Sequence, residues 1–155
     1  MISSDNKLHE LLALLKLDFL EQVKQDCFEL ENLFLAMPIS KDVDEDLNKI
    51  YRIIHNLKGA GGTHGLPLIT AICHLFEDIL CRNRKFKGFD TKLLDNSLQL
   101  IDLLRFAVSE FTNEESIICK IDAIRNSLKE KNVSIMVLDS SKIISMLLEK
   151  IGRAH

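Results

Sequence analysis

The chain reads as an all-α protein: an antiparallel four-helix bundle with an additional helix, then a short carboxy-terminal strand–helix extension. Three observations predict this. Apolar residues recur at steps of three and four through most of the 155 residues, which is the period of one helix face. Two prolines and six glycines are too few for the many turns of an all-β fold. Acidic or hydroxyl residues stand three positions before a glutamate at Asp18/Glu21, Asp42/Glu45 and Thr112/Glu115, the spacing of a helix-starting capping box. A chain of this length buries roughly 70% of the surface it exposes when unfolded, so it needs no disulfide or metal to fold.

The elements follow in order. Leu8, Leu12 and Leu15 put one apolar face on a first helical segment over about residues 5–17. Asp18 with Glu21 then predicts a restart as a second helix, whose inward face is Leu20, Val23, Cys27, Leu30 and Phe34. Pro38 ends it. After Asp42 come Val43, Leu47, Ile50, Ile54 and Leu57. Four glycines follow within seven residues: Gly59, Gly61, Gly62 and Gly65. Pro67 suits the first turn of the next helix, where its missing N–H costs nothing. That helix carries Leu68, Ile72, Leu75, Phe76 and Ile79 inward. Arg82-Asn83-Arg84-Lys85-Phe86-Lys87-Gly88 reads as a basic, solvated loop. Asp90 caps a helix with Leu94, Leu98, Ile101, Leu104, Val108 and Phe111 inward. Thr112 starts the last bundle helix, with Ile117, Ile121, Ile124 and Leu128. Residues 1–131 thus form the bundle. In residues 132–155, Val133 to Leu138 is a β-branched apolar run, and Ile144, Leu147, Leu148 and Ile151 mark a helix.

Composition excludes several functions. The net charge is −3, against a dedicated nucleic-acid binder. The basic stretch at 82–87 has only Phe86 as a stacking aromatic. No apolar run approaches the roughly 18 residues that span a bilayer, and Met1 to Asn6 has no signal-like pattern. Cys27, Cys73, Cys81 and Cys119 lack CxxC spacing and read as reduced core thiols. The expected compartment is the cytoplasm, with no nucleic-acid or membrane partner.

The informative stretch runs from Ile54 to Gly65. On a helical wheel, His55 lies roughly 120° from the centre of the Val43–Leu57 stripe, beside the core and facing solvent. Gly59 and Gly62 share its face, and Lys58 projects nearby. Each glycine inside a helix costs about 0.8–1 kcal/mol relative to alanine, so the run needs a reason. It ends the helix, lets a neighbouring helix come close, or lets another molecule reach the His55 imidazole. An exposed histidine beside a lysine and bare backbone suits a phosphoryl group. On the next helix His74 and Glu77 share a face off the apolar stripe. Antiparallel packing would bring them toward His55; otherwise they are surface residues.

His55-Asn56-Leu57-Lys58-Gly59-Ala60-Gly61-Gly62-Thr63-His64-Gly65, with His74, Leu75 and Glu77, resembles histidine-containing phosphotransfer (HPt) domains. The likeness is to the amino-terminal phosphotransfer domain of chemotaxis-type histidine kinases. It covers roughly residues 5–131 and implies that family's helical bundle. The resemblance further implies that His55 is the phosphoacceptor at Nε2, that Glu77 orients its ring through Nδ1, that Lys58 balances the phosphoryl charge, and that His74 supports the network. Gly59 and Gly62 would form the partner-approach surface. His64 stands where the family often has a bulky residue and takes no role beyond packing or surface. The implied partners are a histidine kinase catalytic domain and a response-regulator receiver domain. The chain would be a carrier rather than an enzyme, with no cofactor or metal of its own, Mg and ATP belonging to the partner domains. No Gly-x-x-x-x-Gly-Lys-[Ser/Thr] loop is present, which agrees. The tail from Val133 to Leu148 resembles the first strand and helix of a receiver domain. It is incomplete: Asp139 is followed by Ser140 where receivers carry a second acid, so it is a piece of a longer hybrid protein, a gene ending early, or an ordinary extension. The competing reading is a non-catalytic helical bundle for interaction or metal binding through His55, His74, Glu77, Cys73 and Cys81.

Overall fold

A computed structural model describes residues 3–85, 90–109 and 121–126. Four helices make the body: α1 (Ser4–Ala36), α2 (Val43–Thr63), α3 (Pro67–Lys85) and α4 (Thr91–Ser109), with a 3₁₀ turn at Met37–Ile39. Residues 121–126 add a helical run, with Ile121 buried against the body. The described residues form an all-α helical bundle and contain no strand. The strand–helix extension over 132–155, the Thr112 capping box, Phe111 and Cys119 lie outside the described residues.

The neighbours follow from paired side chains. Gly61 meets Thr70, His55 meets Glu77 and Asn48 meets Arg84, so α2 and α3 run antiparallel along their whole length. Glu31 on α1 grips Arg105 on α4 through both guanidinium nitrogens, at 2.6 and 3.2 Å. Phe19 on α1 stacks on His64 at the end of α2, with centroids 4.8 Å apart. Inside, Phe34 and Phe76 stack across the core. The stripes of α2 and α3 are buried as their spacing predicts, from Leu47 to Leu57 and from Leu68 to Ile79. Cys27 and Cys73 are buried unbridged thiols, and Cys81 is half-buried. Burial pushes the Cys27 thiol up to about 12, and Cys73 higher still.

Three sequence expectations need correction. The restart at Asp18 does not occur: α1 is one helix from Ser4 to Ala36. No glycine or proline interrupts it, and Glu21 pairs with Lys24 on the solvent face instead of capping. Leu8, Leu12 and Leu15 do lie on one helical face, but they are exposed. The basic stretch is not all loop, since Arg82 to Lys85 are the last residues of α3. On α4 the inward set is centred on Leu93, Ser97, Leu100, Ile101, Leu104 and Val108, with Leu94 and Leu98 only partly buried.

The glycine run divides its tasks. Gly65 has φ +68°. Leu66 N–H donates to Gly61 O at 2.8 Å and Gly65 N–H to Gly62 O at 3.3 Å, the paired bonds of a Schellman helix end. Pro67 then opens α3 after a turn of three residues. Gly61 serves close approach: a Cβ there would stand 2.9 Å from Thr70 Oγ1 and 3.3 Å from Thr70 N. Thr70 is fixed, because its hydroxyl donates to Lys58 O. At Gly59 a Cβ would meet nothing within 4 Å. Alanine at the two positions therefore acts with opposite sign. Gly59→Ala gains about 0.8–1 kcal/mol from helix propensity alone. Gly61→Ala gains the same but suffers overpacking of about 1–3 kcal/mol, and it is expected to melt below wild type. Thermal unfolding of the two variants side by side checks this.

Candidate functional site

The short turn between α2 and α3 fixes the register that builds the site. Counting back from it on α2 and forward on α3 sets His55 opposite Glu77. His55 Nδ1 lies 2.9 Å from Glu77 Oε1, and Lys58 Nζ donates to Glu77 Oε2 at 2.5 Å. One carboxylate thus joins both α2 residues, one oxygen to each. Its side chain is 10% exposed, whereas the His55 side chain is 59% exposed. The acceptor is sheltered and the imidazole projects.

Ring chemistry follows from this pairing. A carboxylate accepts but cannot donate when ionised, so it selects the tautomer with the proton on Nδ1. The lone pair is then on Nε2, at the far side of an exposed ring. Gly62, like Gly59, leaves room: a Cβ there would touch only Thr70 Oγ1, at 3.9 Å. The surface beside His55 carries bare backbone.

His74 faces a carboxylate on its own helix. Its Nδ1 faces Asp78 Oδ2 at 3.7 Å, and Asp78 is buried. The Asp78 carboxylate raises the His74 pKa above its ordinary value, partly opposed by burial. The proton is held more tightly when folded, so this pair stabilises the bundle below the ordinary histidine pKa. That contribution is lost as the pH rises through the folded value. The C2 proton resonance of His74 is expected to titrate with a midpoint above 6.5, and Asp78→Asn is expected to lower that midpoint. An unchanged midpoint would dissociate Asp78 from the shift.

Two residues outside the motif extend the site, Tyr51 against the His55 ring and Arg84 against Tyr51. Tyr51, one turn earlier on α2, stacks on the His55 ring with centroids 5.9 Å apart and planes 16° from parallel. Arg84 lies over the Tyr51 ring at 5.1 Å and donates to Asn48 Oδ1 at 2.7 Å. The i, i+4 spacings of Tyr51 with His55 and of His74 with Asp78 are signals that could have found both contacts. His64 packs on Phe19, as a core-edge residue. Among the described residues no three His, Cys, Asp or Glu side chains converge as a metal set. No described helix is long and apolar enough to cross a membrane.

The family model of the Hpt domain matches residues 14–110, from within α1 to the end of α4. The chain belongs to the Hpt domain family. This membership carries the general activity, histidine phosphotransfer in two-component signalling. The chain is similar to "Chemotaxis protein CheA" of Salmonella typhimurium, 28% identical over 102 residues, 64% of this chain and 15% of that protein. It is also similar to "Sensor histidine kinase CheAY" of Helicobacter pylori, 35% identical over 86 residues, 55% of this chain and 10% of that protein. The chain therefore matches only a small part of either relative's length. No solved structure matches the chain significantly.

Proposed function

We propose that this Hpt domain carries a phosphoryl group on Nε2 of His55, taking it from a histidine kinase catalytic domain and passing it to a receiver aspartate. The observation that carries the reading is the Glu77 bridge: a sheltered carboxylate on Nδ1 of an exposed histidine, with its other oxygen on Lys58. Glu77 holds the proton on Nδ1, and the Nε2 lone pair attacks the γ-phosphorus of ATP held by the kinase. The N–P bond forms as the bond to the ADP oxygen breaks. The ring then carries a proton on Nδ1 and a phosphoryl on Nε2, so it is cationic. Glu77 already stands beside that charge and stabilises it. Lys58 has three N–H donors and needs only one for Glu77, leaving donors for the phosphoryl oxygens. In transfer onward, a receiver carboxylate attacks phosphorus and the N–P electrons return to Nε2.

Gly59 and Gly62 serve the same step. Both partners must bring a reacting centre to Nε2, and bare backbone admits their walls. In-line attack needs reacting atoms about 3–3.5 Å apart, so a side chain there would obstruct the approach.

The test uses labelled ATP, a panel of histidine kinase catalytic domains and the purified chain. Label that is stable in alkali, labile in acid and chased onto an added receiver supports the proposal. Failure of every kinase, together with failure of phosphoramidate to phosphorylate the chain, would overturn it in favour of a scaffold that keeps the histidine without using it.

A further inference from the structure

The largest feature unused by phosphotransfer is the first half of α1. Phe19 is its first buried residue, so residues 4–18 project as about 22 Å of helix. Leu8, Leu11, Leu12, Leu14, Leu15 and Leu17 are each 44–60% exposed there. Leu8, Leu11, Leu12 and Leu15 fall within a stripe roughly 100° wide. The stripe runs on through Phe19 into the buried face of α1 with no break in the helix. The Hpt match begins only at residue 14, so Leu8, Leu11 and Leu12 lie outside the part that defines the family. Apolar surface of this extent marks an interaction site.

We propose that this stripe joins two copies of the chain as an antiparallel helix pair. A symmetric pair places Leu8 opposite Leu15 of the other copy and Leu11 opposite Leu12, giving leucine layers throughout. The flanks agree. Lys7 and Asp18 lie roughly 20° apart on the same side of the stripe, eleven residues from each other. In the antiparallel pair like flanks meet, so Lys7 of one copy stands within a turn of Asp18 of the other, twice by symmetry. Direction follows from the bundle. The stripe points to the side on which α2 and α4 pack, so a parallel partner would drive its own bundle into this one. An antiparallel partner carries its bundle to the far end. A lipid surface fits less well, because Asp5, Glu10 and Asp18 break up the basic polar face that such helices present. His55 lies on α2, outside the stripe, so this pairing is independent of the phosphotransfer reading.

Sedimentation equilibrium of the full chain over low to high micromolar concentrations tests it. Wild type is expected to approach twice the 17.7 kDa chain mass. Leu12→Glu, on an exposed position, is expected to remain monomeric with unchanged helix content and unchanged label on His55. Lys7→Glu and Asp18→Lys are each expected to weaken the dimer, and the double variant to restore it. In a parallel pair the two positions stand far apart, so the double variant would recover nothing over the single ones. A wild-type monomer at every concentration overturns the proposal, whether residues 127–155 or another protein then covers the stripe. A dimer indifferent to Leu12→Glu, or one the double variant fails to restore, overturns it equally.

Discussion

His55→Gln is expected to abolish acid-labile phosphorylation while leaving the bundle folded. The two effects separate because His55 is bound to little. Its side chain is mostly exposed, and its contacts are one hydrogen bond to Glu77 and the ring of Tyr51. A net hydrogen bond is worth about 0.5–1.5 kcal/mol, and glutamine keeps an amide N–H that reaches for the same oxygen. Melting should therefore shift by a few degrees at most. Chemistry cannot survive, because an amide nitrogen has no lone pair comparable to that of Nε2. His64 is packed on Phe19 and offers no replacement. His74 also faces a carboxylate, Asp78, but its side chain is only 23% exposed. Label on the variant at the wild-type level would remove His55 from the acceptor role and direct attention to His74.

What the sequence made legible follows the reach of each signal. Helix α2 and helix α3 were legible because each carries one stripe between strong punctuation, Asp42 before and the glycine run with Pro67 between. The site was legible only in part: antiparallel packing of the two helices would bring Glu77 toward His55, but spacing alone left Glu77 equally free to be a surface residue, and the Gly65 turn is what sets the register. At Asp18 the capping-box spacing misleads, because residues three apart also share one face of an unbroken helix, and here Glu21 pairs its carboxylate with Lys24 within α1. The leucines of its first half show period but not burial. Periodicity says which side chains share a face, and only a neighbouring element decides whether that face is covered. On α4, leucine or isoleucine at 93, 94, 98, 100, 101, 103 and 104 supports two stripes one position apart, and packing against α1 and α3 chose between them. Arg84 over Tyr51 joins two helices through a contact that no spacing rule within one helix describes.

Glu77 gives the second large effect. Glu77→Gln is expected to slow phosphorylation of His55 roughly ten- to a hundred-fold, and Glu77→Ala more. The glutamate supplies three things: an acceptor for Nδ1–H, a negative charge beside the ring, and an anchor for Lys58. Glutamine retains an acceptor oxygen and loses the charge. A hydrogen bond to a charged group is worth about 1.5–3 kcal/mol, and about 1.4 kcal/mol is tenfold in rate. The charge matters most after attack, when the ring carries both a proton and the phosphoryl. Alanine loses the acceptor too, so the tautomer with the proton on Nε2 becomes populated and the attacking lone pair is lost from that fraction. Nitrogen chemical shifts of the His55 ring separate this from mere unfolding. Wild type should show a protonated Nδ1 and a bare Nε2, and Glu77→Ala a mixture of tautomers at unchanged helix content. Stability should fall only modestly, because Lys58 can return to water when its partner is removed. If Glu77→Ala is phosphorylated as fast as wild type with its helices intact, the carboxylate holds the two helices together without taking part in the transfer.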